Sequence, residues 1–181
     1  EQLVSEATKG NRKAVDQLIS NHLHWIYNIA LRMTGDPVDA EDVTQEVMIK
    51  IIKKLGDFKQ KSSFRTWAYR IVVNHVLNMK RRATETKWTT FDEYSKRIDD
   101  TPDHDFPDCT ALSVEKTAII REIKMHCILG TLLCLNRNQR LVFILGELFS
   151  VNETVSSNIL ERSKESFRQT LSRARRKMFN F

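Results

Sequence analysis

The chain has 181 residues, with 29 Lys and Arg against 23 Asp and Glu, and its net charge of +6 favours a polyanionic partner. No apolar run approaches the roughly 20 residues of a membrane span, and the amino terminus EQLVSEATKG lacks the charged-then-apolar order of a secretion signal. Cys109, Cys127 and Cys134 are an odd number without paired spacing, which supports neither a disulfide framework nor a zinc cluster and fits a reducing, cytoplasmic setting.

Gly and Pro are scarce, at 5 and 3, and apolar residues recur mostly at three- and four-residue intervals. That pattern predicts an all-α chain. Residues 11–33 read as a helix with Val15, Leu18, Ile19, Leu23, Ile26, Ala30 and Met33 on its apolar face, ended by the turn TGDP. A second helix spans Asp39 to Lys54, with Ala40, Val43, Val47, Ile51 and Ile52 on one face and Asp39, Asp42 and Glu46 on another. After the loop GDFKQKSS, Ser63 is positioned to cap a long helix from Phe64 to about Arg82.

Residues 83–110 lose periodicity and hold eight acidic against three basic residues and two of the three prolines. Such composition predicts a tether, with Trp88, Phe91 and Tyr94 as packing points. Periodicity resumes near Leu112 with Val114, Ala118, Ile119, Ile123, Cys127, Leu129 and Leu132, and helices follow at Arg137–Phe149, Glu153–Glu161 and Lys164–Phe179. The expected architecture is two small helical domains joined by a flexible acidic linker, the C-terminal one containing a helix-turn-helix.

Between Phe64 and Arg82 there are five basic residues and no acidic one. At 3.6 residues per turn, Phe64, Trp67, Ile71 and Val72 face a core, while Arg70, Asn74 and Asn78 align on one outer stripe. Arg grips phosphate and Asn pairs bidentately with a base edge, so the stripe has the chemistry to hold a nucleic-acid strand. The small polar loop before it, Lys59 to Ser63, suits an unstacked base. A solvated helix face with a basic end accounts for this segment equally well.

The second basic segment, Arg162 to Lys177, has seven basic residues and one acidic. Its helix follows a short helix and the turn ERS, the order of a helix-turn-helix with the recognition helix last. Ser163 caps it, Phe167, Leu171 and Ala174 point inward, and Lys164, Ser166, Arg168, Gln169, Ser172, Arg173 and Arg176 are offered to DNA. Two basic helices on tethered domains are best explained by one long nucleic acid touched twice. The five histidines do not converge at ligand spacing, Cys127 and Cys134 lie seven apart and are expected in the second core, and no phosphate loop or nucleophile set is present. Neither catalysis nor a metal or cofactor is expected.

DAEDVTQEVMIKII, FRTWAYRIVVNHVLNMKRR, and LNRNQRLVFIL followed by LSRARRK resemble regions 2 and 4 of bacterial RNA polymerase sigma factors of the extracytoplasmic-function (ECF) group. The resemblance implies region 2 at 1–84, a linker at 85–110 and region 4 at 111–181. It implies a factor that binds core RNA polymerase and directs promoter recognition, DNA melting and transcription initiation. Asp39, Glu41, Asp42, Gln45 and Glu46 would dock on the clamp of the largest subunit. Lys59, Gln60, Lys61, Ser62 and Ser63 would capture a flipped base of the −10 element, and Arg70, Asn74, Asn78, Lys80 and Arg81 would contact its other bases and phosphates.

The acidic linker would follow the path of nascent RNA, and region 4 would take the −35 element and the flap of the second-largest subunit. Region 4 departs from the family's pattern, with Glu161 and Arg162 in the turn and Ser156 and Ser157 at anchor positions. Relaxed specificity and an auxiliary DNA-targeting partner are one expectation from those departures. An anti-sigma factor is another expected partner. The rival readings are a non-catalytic protein-interaction adaptor and a duplex-DNA-binding regulator.

Overall fold

The computed structural model describes residues 2–87, 90–100, 120, 125 and 127–179. Leu112, Val114, Ala118, Ile119 and Ile123, with Trp88, His104, Cys109 and His126, lie outside the described residues. Among the described residues every regular element is helical.

Helix α1 (Gln2–Thr8) leads into α2 (Arg12–Thr34), which starts where the Asn11 side chain accepts the Ala14 N–H. Its end is set by Gly35, in the left-handed region at φ 75°, whose N–H bonds back to Leu31 O. One residue later Asp36 accepts the N–H groups of Val38 and Asp39, and Pro37 opens α3 (Pro37–Lys54). TGDP is therefore a glycine stop joined to an Asp-capped, proline-initiated start, and it folds α3 back on α2. Helix α4 (Phe64–Asn78) crosses both. Ile26, Ile29, Met33, Val43, Val47 and Val72 are fully buried where these helices meet. Each contributes about 1.5–3 kcal/mol by burial.

Three local expectations need correction. Leu23 is exposed, as is Ile52, because the apolar stripe of each helix is narrower than its list of apolar residues. Helix α4 stops at Asn78 rather than Arg82, since Met79 is extended at ψ 153°. The acidic stretch holds two helices, α5 (Ala83–Lys87) and α6 (Phe91–Asp99). Tyr94 of α6 is buried and its hydroxyl donates to Cys127 O, with its ring against Gly130, where any side chain would collide.

The carboxy-terminal part comprises helical residues 127–133 (α7), α8 (Arg137–Phe143), α9 (Glu153–Ile159) and α10 (Lys164–Phe179). Cys134 is buried as expected, whereas Cys127 is exposed. The expected helix at 137–149 changes pitch at Ile144–Leu148, a π turn closed by Phe149 N–H on Ile144 O. That wider turn swings Phe149 beneath the Arg32 guanidinium, 5.7 Å from the ring centroid.

Helices α9 and α10 form the helix-turn-helix. Glu161 sits in its turn at φ 51°, a position that costs a non-glycine residue on the order of 1 kcal/mol. Ser163 caps α10, and Phe167 and Ala174 are buried. Ser156 and Ser157 are buried too, their hydroxyls satisfied by Val151 O and Thr154 O.

The two helical parts share one apolar core, in which Leu141, Ile144, Leu145 and Ile159 join the residues of α2–α4. Leu133 lies so close over Gly35 that a Cβ there would come within 2.5 Å of its Cδ1.

Candidate nucleic-acid interface

The short helix-breaking loop before α4 is pinned at both ends by aromatic packing. Phe58, Phe64 and Trp67 form a mutual cluster with ring centroids 5.3–5.6 Å apart. Ser63 accepts the Thr66 N–H at 3.2 Å and starts α4. Between these anchors Lys59, Gln60, Lys61, Ser62 and Ser63 are all exposed, with Gln60 left-handed at φ 54°. A loop held this way presents its polar tips outward.

Arg70, Asn74 and Asn78 are exposed along α4 and line one open groove of about 870 Å³. Lys80 and Arg81 continue its wall past the helix end, and the opposite wall is α3, through Lys50 and Lys54. Trp67 supplies an aromatic edge. Glu46 is the one carboxylate of the lining, and the cations, amides and indole around it match what single-stranded nucleic acid offers: phosphates, base edges and π faces. Asn78 currently donates its amide to Asn74 O at 2.8 Å. To read a base it must give up that bond.

Sequence reasoning missed Arg82, Lys50 and Lys54. Arg82 reaches across to α3, 3.7 Å from Asp39 and 3.6 Å from Glu46. His75, buried on the inner side of α4, sits 2.5 Å from Lys50 Nζ through Nδ1 and 3.3 Å from Glu46 Oε2 through Nε2, the latter without hydrogen-bond alignment. Partners 25–43 positions away leave no local signal.

The five acidic and amide positions of α3 are thereby split. Asp39 pairs with Arg82 beyond the end of α4 and Glu46 faces both Arg82 and His75 of α4, while Glu41, Asp42 and Gln45 are exposed on an outward stripe with Val38, Ile49 and Ile52. The docking expectation and the strand-binding expectation thus concern two sides of one helix pair.

Burial lowers the pKa of His75, Lys50 and Arg82 lower it further, and Glu46 opposes them. The folded chain therefore keeps this imidazole neutral near pH 7. Below its ordinary value of about 6.5 the unfolded chain takes up a proton that the folded chain refuses. Stability from this residue is full above that pH and falls as the solution is acidified toward the folded pKa. Thermal unfolding from pH 7.5 to 5 should show a steeper loss for wild type than for His75→Gln; parallel curves would remove His75 from the account.

On α10, Lys164, Ser166, Arg168, Gln169, Ser172, Arg173 and Arg176 are all exposed, and five of them line a shallow groove of about 340 Å³. Arg168 pairs with Glu153 at 2.9 Å and Arg175 with Glu147 at 2.7 Å, while Lys164, Arg173 and Arg176 are exposed cations of the same helix. Among the described residues no cluster of His, Cys, Asp and Glu could hold a metal, and no helix is long and apolar enough to cross a membrane.

The sigma-70 region 2 model matches residues 18–86, the span that contains the α3 acids, the loop and the α4 groove. Residues 18–86 thus match sigma-70 region 2, and the relatives that this part resembles include ECF RNA polymerase sigma factors. The RNA polymerase sigma-H factor of Pseudomonas aeruginosa is 35% identical over 96 residues, which are 51% of this chain and 50% of that protein. The ECF RNA polymerase sigma-E factor of Escherichia coli is 37% identical over 76 residues, 42% of this chain and 39% of that protein. The chain thus spans half or less of the length of these curated relatives. Two solved structures share the fold: CnrH in complex with the cytosolic domain of CnrY, with TM-score 0.70 and 20% identity over 99% of this chain and 94% of that one, and RpoE in complex with the anti-sigma factor NepR from Bartonella quintana, with TM-score 0.58 and 16% identity over 90% and 92%. Region 2 ends at Thr86, so α8–α10 lie outside the matched span.

Proposed function

We propose that this chain is a promoter-specificity subunit that acts only when bound to core RNA polymerase. The observation that carries the reading is the placement of Arg70, Asn74 and Asn78 in one groove beside the exposed Lys59–Ser63 loop, within a region 2 match. The acidic side of α3, Asp39, Glu41, Asp42, Gln45 and Glu46, docks on the clamp of the largest subunit, with Glu46 also facing His75 of α4. The loop receives a flipped base of the −10 element, the groove holds the neighbouring bases and phosphates, and α10 takes the −35 duplex while region 4 meets the flap. Domain limits of 1–84, 85–110 and 111–181 accompany this reading.

Its mechanism is binding energy. Affinity for the unpaired strand shifts duplex toward the open state, and no covalent step falls to this protein. The setting is the cytoplasm, where an anti-sigma factor would hold the free chain, as NepR does RpoE in the complex described above. The strained Glu161 and the hydroxyls in the core of the helix-turn-helix favour a region 4 with relaxed sequence preference, aided by an auxiliary DNA-targeting protein.

Runoff transcription by core polymerase on a genomic fragment library, with and without the chain, tests the proposal. Transcript starts that require the chain and share a −10 motif are expected. Core that never binds the chain would leave the adaptor reading; tight duplex binding without core would leave the regulator.

A further inference from the structure

The wall of the groove opposite α4 carries a cation that is already tied down. Lys50 of α3 is exposed and lines the groove with Arg70, Asn74 and Asn78, yet its ammonium donates to His75 Nδ1 at 2.5 Å. That bond needs the Nδ1 lone pair, so the ring is neutral and its one proton sits on Nε2, 3.3 Å from Glu46 Oε2. Arg82 in the same lining faces two carboxylates, Asp39 and Glu46. Lys50 rests on a neutral acceptor instead.

That difference decides which cation can change partners. A phosphate oxygen offers an ammonium an opposite charge as well as a lone pair, and a neutral imidazole offers only the lone pair. Lysine carries its charge on a flexible four-carbon stem, so Nζ can turn from the ring into the groove while α3 stays in place. When it turns, Nδ1 loses its donor and the ring loses a neighbouring like charge, while Glu46 remains beside Nε2. Both losses favour the protonated ring.

We propose that Lys50 is a phosphate ligand of the unpaired strand, held ready by His75 until the strand arrives, and that its transfer to phosphate is accompanied by proton uptake from solvent at His75 Nδ1. This inference deepens the promoter-specificity reading and rests on it.

The direction of the pH dependence follows from the groups that face the ring. They are Glu46 and Lys50 of α3 and Arg82 beyond α4, with Asp39 joined to the set through Arg82. Among the described residues no group of α2, α8 or α9, which also pack on α4, shifts the titration of His75. In the free chain burial and then Lys50 hold the ring below its ordinary value, Arg82 adds to them and Glu46 opposes them. Strand binding removes the Lys50 contribution and brings phosphate charge nearby, so the bound ring holds its proton more tightly than the free one. A complex that binds more protons than its parts gains affinity as pH falls, by up to about tenfold per pH unit for one proton.

The test uses the full chain on core polymerase with fluorescent single strands that carry the −10 sequences of its mapped starts, at pH 7.5 and pH 5.5. Wild-type affinity should rise at least about threefold on acidification. In His75→Gln the amide oxygen still accepts from Lys50 but takes no proton, so affinity should agree within about twofold at the two pH values. Lys50→Met should lose most of the pH response and lower the slope of log affinity against log salt by about 0.7, the share of one single-strand phosphate. In the free chain, NMR titration should place the His75 ring higher in Lys50→Met than in wild type. Melting curves at pH 7.5 check that each variant is folded. A wild type indifferent to pH, a His75→Gln that keeps the full rise, an unchanged salt slope in Lys50→Met or an unmoved ring titration would each overturn the inference. Failure of every form to bind the strand would sink the promoter-specificity reading and the phosphate contact together, whereas binding that ignores Lys50 would remove the contact and leave that reading standing.

Discussion

Replacing Asn74 and Asn78 by Ala together should weaken binding of single-stranded −10 sequence to the polymerase-bound chain by about 30-fold or more. A good bidentate Asn contact to a base discriminates by about 1–3 kcal/mol. Two would give more, but Asn78 first surrenders its 2.8 Å bond to Asn74 O, a net loss of about 1 kcal/mol. Neither substitution changes charge, so the salt dependence of binding should keep its slope, whereas Arg70→Ala should lower that slope by about one phosphate's worth. Both asparagines are exposed, so the fold should be unaffected. Fluorescence anisotropy with oligonucleotides taken from mapped starts reads all three quantities. Affinity within threefold of wild type for the double variant would remove base reading from this stripe.

The helices of region 2 were legible in the sequence because each carries its own stop and start. TGDP encodes the α2–α3 turn through Gly35, Asp36 and Pro37, and Ser63 marks α4. The α4 groove was half legible: period alone aligns Arg70, Asn74 and Asn78, but the facing wall of Lys50 and Lys54 depends on the packing of α3 on α4.

What sequence could not supply was long-range pairing. Glu85 stands in a stretch whose charge density reads as a solvated tether, yet it is buried because its guanidinium partners come from residues 52 and 55 positions later. The same partners explain the early end of α4, since Met79 O and Lys80 O bond Arg137 instead of extending the helix. Arg140 is held below its ordinary pKa, at about 10, by burial, with Glu85 opposing that shift and Arg137 adding to it. The charge survives burial because every face of the guanidinium has an acceptor.

Glu41→Lys with Asp42→Lys should reduce binding to core polymerase by at least 100-fold while leaving the fold nearly as stable as wild type. These two carboxylates are exposed and point away from α4, unlike Asp39 and Glu46, whose reversal would also disturb Arg82 and His75. Like charges brought together at an interface cost several kcal/mol, which is the basis of the expected loss. The fold should lose only about 0.3–1 kcal/mol from weaker dipole interactions near the start of α3. Association rate and its ionic-strength dependence should fall with affinity, because acidic steering toward basic residues of the clamp is removed. A control, Glu161→Lys, changes charge in the turn between α9 and α10 and should leave core affinity within threefold. Unchanged affinity for the double reversal would move docking off this stripe; loss of affinity with an intact melting curve would assign it there, with Val38, Ile49 and Ile52 as the apolar floor of the same surface.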